Sequence, residues 1–268
     1  MSTLGYISSN SPIGFFDSGV GGLTVLDKVK KLLPFENYIF YGDTIHVPYG
    51  SKSKEELLSY SEKILKFFEK KRCKAVVMAC NTTSSVIYDD IKDKYNFELY
   101  PVVQSVSKML STLPVNILGV FGTKVTIESD AYPREIAKYN SSMKVCGQYC
   151  PEWVKIVENN LLNDASSINT VKNDLNLMLK NNPEKIVLGC THYPYLLSIL
   201  SKFAPIDMFI DPAVYLAEYI KNDLKLKSLI ATSNNGTEEF YVSSNPKQFR
   251  ISASMFYKLE ENPQLLVL

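Results

Sequence analysis

Short apolar runs recur along the chain: IGFF at 13–16, NYIFYG at 37–42, KAVVMA at 74–79, VNILGVFG at 115–122 and EKIVLG at 184–189. A longer amphipathic stretch follows each of them. Runs of this length suit strands buried on both faces, and the intervening helical periods supply the covering layers, so the pattern predicts an α/β fold with mostly parallel sheets. Segment 53–71 places Leu57, Leu58, Ile64, Leu65 and Phe68 on one face with its charges elsewhere, which predicts a surface helix. Segment 153–181 reads as two helices parted by the polar patch NDASS at 163–167. No low-complexity tract or linker interrupts the chain, so any domain boundary is crossed by short connections.

Two segments share one plan. KAVVMACNT and EKIVLGCTH each present a basic residue, an apolar strand, a small residue, then a cysteine followed by polar residues and a further helical pattern. Two pseudo-equivalent α/β halves would turn the carboxyl ends of their strands toward a shared crevice, the usual place for a ligand in such sheets.

Composition narrows the class. The chain has 268 residues, 46% of them hydrophobic, with 29 Lys and Arg against 28 Asp and Glu, so no field of one sign draws in nucleic acid or an anionic membrane. The opening MSTLGYISSNSP lacks a basic and an apolar leader region, and no run of about 18 apolar residues occurs, so a cytoplasmic protein is expected. Five cysteines, an odd number, argue for reduced thiols over a disulfide framework. With two histidines, His46 and His192, and the spacing Cys146-x-x-x-Cys150 in place of C-x-x-C, no metal site is expected.

Cys80 and Cys190 stand where strands end. Cys80 precedes Asn81, Thr82, Thr83 and Ser84, which are suited to capping a helix from near Val86; Cys190 precedes Thr191, His192 and Tyr193-Pro194. A helix N-terminus favours thiolate, so each is expected to serve as a base near neutral pH. Cys73 and Cys146 lie in or beside strands and are expected to be buried. Two thiols at matched positions suit a reaction that needs one proton-handling group on each face of a carbon acid, which is the requirement of racemisation. A Cys-His hydrolase could be drawn from one cysteine and His192, but it leaves the second cysteine unexplained.

The segment IGFFDSGVGGLTVL offers Asp17 and Ser18 at a strand end and backbone N–H groups able to hold a carboxylate. As a dinucleotide fingerprint it lacks the final glycine, and YGSKS is not a phosphate loop, so no cofactor is expected. Asp17 and Ser18 are placed to orient substrate or assist a thiol, or else to make a plain turn. In YGDTIHVPYGSKS, Pro48, Tyr49 and Gly50 could close over a ligand, Tyr49 offering its hydroxyl, or form an ordinary loop ending in a Ser51 or Ser53 cap.

In this order and spacing FDSGVGGLTVL, YGDT with VPYG, ACNT and LGCTHYP resemble the successive signatures of the glutamate racemase family, and GTKVTIESDAY and CPEWVKIVE extend the likeness to about Asp211. The resemblance implies an amino-acid racemase free of pyridoxal phosphate and metal, acting on glutamate and supplying D-glutamate for peptidoglycan, and a homodimer. It implies that Cys80 deprotonates the D-isomer with help from Asp17, and Cys190 the L-isomer with help from Glu158 and His192. Asp17-Ser18, Tyr49-Gly50, Asn81-Thr82 and Thr191-His192 match the substrate-contacting pairs, with Thr123 and Thr126 as further contacts. It also implies two α/β domains sharing a site at their interface, residues 1–103 with 211–268 and residues 104–210. Ile45-His46-Val47, where the family has a basic residue, Gln104 and Asp211-Pro212 depart from the family pattern. An aspartate racemase and a noncatalytic binder of acidic amino acids remain as alternatives, the first set by side-chain length and the second by retention of ligand stereochemistry.

Overall fold

A computed structural model describes residues 7–233 and 236–268; residues 1–6 of the stretch read for a leader lie outside it. The chain begins with β1 (Ile13–Asp17), α1 (Leu23–Leu32), β2 (Tyr38–Gly42), α2 (Lys54–Lys70), β3 (Ala75–Met78), α3 (Asn81–Ile91) and β4 (Glu98–Pro101). It crosses through α4 (Val102–Leu110) to β5 (Ile117–Gly122), α5 (Lys124–Glu128), α6 (Ala131–Ala137) and β6 (Lys144–Tyr149). Next come α7 (Trp153–Glu158), α8 (Ala165–Leu179), β7 (Lys185–Gly189), the short α9 (Leu197–Leu200) and β8 (Phe209–Ile210). It returns through α10 (Pro212–Leu226) to β9 (Glu238–Val242), α11 (Pro246–Ala253) and β10 (Gln264–Leu265).

The result is two parallel sheets, one of six strands ordered β10-β9-β2-β1-β3-β4 and one of four ordered β6-β5-β7-β8. The apolar runs became their inner strands: β1, β2 and β3 are buried along their whole length. One core joins the sheets, with Phe15 and Val77 of the first and Val120 and Val187 of the second packed about Leu26, Val106, Ile136 and Leu216 of α1, α4, α6 and α10. Separate apolar clusters back the outer faces. The expected surface helix is α2, started by a capping box in which Ser53 accepts from Glu56 N and Glu56 reaches back to Ser53 N. Leu57, Ile64, Leu65 and Phe68 are buried on it, while Leu58 is only half-buried. The polar patch at 163–167 does separate two helices, Asp164 capping α8 through Ser167 N.

In each sheet the strand order reverses beside the first strand of the unit. β2 lies to one side of β1 and β3 to the other; β6 lies to one side of β5 and β7 to the other. Crevices open outside the carboxyl ends at such points. Asp17 ends β1, Cys80 follows β3, and Thr123 and Cys190 follow β5 and β7, so both reversal points carry the polar residues singled out above.

Candidate active site

Asp17 closes β1 at 1% exposure, and its Oδ2 accepts the Gly19 N–H (3.2 Å) and the Gly22 N–H (3.0 Å). The glycine-rich turn therefore wraps the chain's own carboxylate, and those two donors, expected to hold a ligand's, are occupied. Oδ1 has no protein partner. Burial pushes the Asp17 pKa up, against the pull of His192 and the two N–H groups. Gly21 brings this turn onto the second sheet's loop, for a Cβ there would fall 2.2 Å from Thr191 Oγ1 and 2.8 Å from the His192 ring.

Cys80 is itself the N-cap of α3, which starts at Asn81 and not near Val86. The hydroxyls expected to cap instead form its first turn and bend back, Thr83 Oγ1 donating to Cys80 O (3.0 Å) and Ser84 Oγ to Asn81 O (3.1 Å). Against the helix-terminus expectation of a thiolate, the surroundings of Cys80 favour the thiol. Burial first and Asp17 second push its thiol up to about 12, outweighing the Thr83 N–H.

Cys190 sits differently. It is followed by a short 3₁₀ turn over Tyr193–Leu196 in place of an α-helix, and its Sγ lies 3.8 Å from His192 Nδ1. On the ring's other side Nε2 is 3.2 Å from Glu158 Oε1 at the end of α7, within ion-pair range but not aligned as a hydrogen bond. Burial alone would lower the His192 pKa, yet Cys190 and Glu158 raise it to about 10. The shift favours the imidazolium form of the ring, which lies between a sulfur and a carboxylate.

These groups surround a cavity of about 420 Å³. From the first sheet come Ser18, Pro48, Tyr49, Gly50, Cys80, Asn81 and Thr82; from the second come Thr123, Glu158, Cys190, Thr191 and His192. Asp17 and Thr126 do not line it: Asp17 lies behind, and Thr126 supports Thr123 through a 2.9 Å hydroxyl contact, Thr123 in turn meeting Thr82 at 3.0 Å. The Tyr49 hydroxyl, expected to face a ligand, donates to Asp43 Oδ2 at 2.5 Å. Tyr132 donates to Asn81 Oδ1 (2.8 Å) and fixes that amide.

Sequence reasoning did not assign a site role to the rest of the wall, which includes Val47, Lys124, Tyr149, Cys150, Glu152 and Lys155. Tyr149 closes β6, beside β5 in the sheet, and that neighbouring strand end is the signal that could have found it. Cys73 is buried as expected; Cys146, expected buried, is half-exposed because β6 is an edge strand. The departures have structural places: Gln104 Nε2 donates to Ser84 O (2.9 Å), Asp211 caps α10 through Ala213 N (2.9 Å), and His46 meets Asp43. No group of three or more His, Cys, Asp or Glu side chains is placed to hold a metal among the described residues.

A family model described as Asp/Glu/Hydantoin racemase matches residues 17–220. A glutamate racemase of Thermoanaerobacter sp. (strain X514) is 37% identical over 246 residues, 91% of this chain and 92% of the relative. The crystal structure of a glutamate racemase isoform from Bacillus anthracis superposes with a TM-score of 0.90 at 29% identity, covering 97% of this chain and 98% of that one. That of a Francisella tularensis glutamate racemase in complex with D-glutamate does so with a TM-score of 0.87, also at 29% identity over 97% and 98% of the two chains. By the extent of these matches the chain belongs to the Asp/Glu/hydantoin racemase family.

Proposed function

We propose that the chain racemises glutamate without a cofactor, by proton transfer between Cys80 and Cys190, and so supplies D-glutamate for peptidoglycan. The observation that carries this reading is that one cavity holds Cys80 and Cys190, each from the reversal point of its sheet, while its third cysteine, Cys150, follows the edge strand β6. A racemase takes the Cα proton from one face and returns a proton to the other, which two separately mounted sulfurs suit. The relatives named as glutamate racemases support the choice of substrate.

With L-glutamate bound, the Cys190 sulfur, next to the His192 imidazolium, takes the Cα proton. The C–H bond breaks, an S–H bond forms, and the electron pair moves into the α-carboxylate. Cys80, held as a thiol by burial, gives its proton to the opposite face. In the D to L direction the roles exchange. Cys80 must then give up its thiol proton, and the buried Asp17, whose own pKa is raised, is the carboxylate to take it. The N–H groups of Asn81 and Thr82 in the first turn of α3 have no intrahelical acceptor and lie at the positive end of the helix, where they stabilise the charge gathering on the substrate carboxylate.

Ser18, Tyr49-Gly50, Thr82 and Thr191 are the substrate contacts of this reading, with Pro48, Thr123 and Thr126 around them. The domain partition 1–103 with 211–268 and 104–210 and a homodimer go with it and rest on the family resemblance, and a cytoplasmic place goes with the reading as well. Among the described residues no helix is long and apolar enough to cross a membrane.

The test is incubation of the purified chain with each glutamate isomer in D₂O, following optical rotation and Cα deuteration together. Inversion with exchange is expected, and Cys80→Ala and Cys190→Ala should each abolish net racemisation. Near-native racemisation in both directions by either variant would sink the two-sulfur scheme. Faster turnover of aspartate than of glutamate would overturn the substrate.

A further inference from the structure

Asp43 follows β2 at 3% exposure and lies outside the cavity wall, yet three elements of the site converge on it. Its backbone N–H donates to Asp17 O (3.0 Å). Its side-chain oxygens face His46 Nδ1 at 3.0 and 2.8 Å, and Oδ2 also accepts the Tyr49 hydroxyl. The His46 ring stacks on Tyr60 of α2, with centroids 3.8 Å apart and planes 11° from parallel. Residues 43–50 form a strap after β2, and two hydrogen bonds anchor its start, Ile45 N to Ser243 Oγ (2.8 Å) and Thr44 Oγ1 with Ser244 Oγ (2.9 Å). Its far end reaches the other sheet: a Cβ at Gly50 would fall 3.0 Å from Thr123 Cβ.

A buried carboxylate is costly unless it is hydrogen-bonded, and here the donors that satisfy it are the two side chains of the strap. We propose that Asp43 and His46 are positioning residues that hold the 47–50 wall of the cavity, through Tyr49, against Thr123 and so set the affinity for substrate. His46, a departure from the family pattern, supplies the donor, and its flat ring spans the gap between Asp43 and Tyr60. Neither residue touches the reacting atoms. The inference rests on the glutamate-racemase reading of the same site.

The test measures kcat and KM in both directions for the unaltered chain and for His46→Ala, Tyr49→Phe, Asp43→Asn and His46→Arg, with a thermal midpoint for each. Removing one donor to a buried carboxylate should raise KM for both isomers about tenfold, with kcat within about threefold. His46→Arg should bring KM back to near the parent value, because a guanidinium both donates to a carboxylate and stacks on an aromatic ring. A merely structural role would lower the midpoint and leave KM alone. If Asp43→Asn fails to fold, the His46 and Tyr49 variants decide. Folded His46→Ala and Tyr49→Phe proteins with KM within about twofold of the parent would overturn the positioning role while leaving racemisation intact. Absence of racemisation by the unaltered chain would overturn the function, and this inference with it.

Discussion

Gly21→Ala tests whether the two halves of the site are registered by direct contact. The added methyl would lie 2.2 Å from Thr191 Oγ1 and 2.8 Å from His192 Cε1 and Nδ1. Contact between non-bonded heavy atoms is comfortable at about 3.5 Å, so the shortfall is about 1.3 Å at Thr191 and about 0.7 Å at the ring. Neither residue can swing clear into solvent, since Thr191 is 7% and His192 4% exposed. The backbone on either side of them is also tied, Tyr193 N donating to Cys190 O (3.0 Å) and Tyr195 N to His192 O (3.2 Å). Either Thr191 rotates its hydroxyl out of place or the turn over 18–22 lifts, carrying Asp17 with it. Overpacking of this kind costs about 1–3 kcal/mol, and each kcal/mol lowers the thermal midpoint of a chain this long by about 2–4 °C. The larger effect is on turnover, because displacing reacting groups by about 1 Å costs about 10²-fold in rate. Gly19→Ala is the control: its methyl would meet only Val47 Cγ2 at 3.6 Å, an ordinary contact, and the N–H to Asp17 is kept. Steady-state racemisation in both directions should show kcat/KM down about 10²-fold for Gly21→Ala and little changed for Gly19→Ala. Equal kcat/KM for Gly21→Ala and the parent would refute the idea that this contact sets His192.

Iodoacetamide should inactivate the protein and bound glutamate should slow it, with peptide mapping placing the first modification on Cys190, beside an imidazolium, ahead of Cys80, whose thiol is pushed up to about 12. First labelling of Cys80 would contradict this ordering. The pH dependence has a definite sign: the His192 pKa rises from 6.5 to about 10 on folding, so its contribution to stability is complete below about 6.5 and is lost as pH climbs through about 10. Cys73 and Cys80, raised from 9.0 to about 12, extend the loss upward from about 9 to about 12. The thermal midpoint should therefore fall between pH 7 and pH 10, and Glu158→Gln, by removing one of the two groups that raise His192, should move the fall to lower pH; a midpoint flat across that range would contradict it.

What could be read from the sequence was what neighbouring residues decide. Fully buried strands such as Phe15–Phe16 and Val76–Val77 declare themselves as apolar runs, and a cysteine followed by Asn81 and Thr82, or by Thr191 and His192, declares a strand end. β4, β8, β9 and β10 escaped because they are short or lie toward an edge, where half-buried positions such as Glu98, Glu239 and Phe240 break the pattern. Within the site, identities were legible and ionisation was not. Both cysteines follow parallel strands, and local rules give both the same helix-terminus environment; the assembled fold gives one a buried carboxylate at its back and the other an imidazolium. That asymmetry comes from Asp17, distant in sequence from Cys80, from His192, which Cys190 itself and the distant Glu158 raise, and from desolvation, which exists only once both sheets close on the cavity. The glycine-rich turn shows the same limit. Its N–H groups do bind a carboxylate, as the local chemistry demands, but only the folded chain shows that the carboxylate is Asp17. Elements follow from local pattern, whereas the charge state of a buried group follows from its tertiary neighbours.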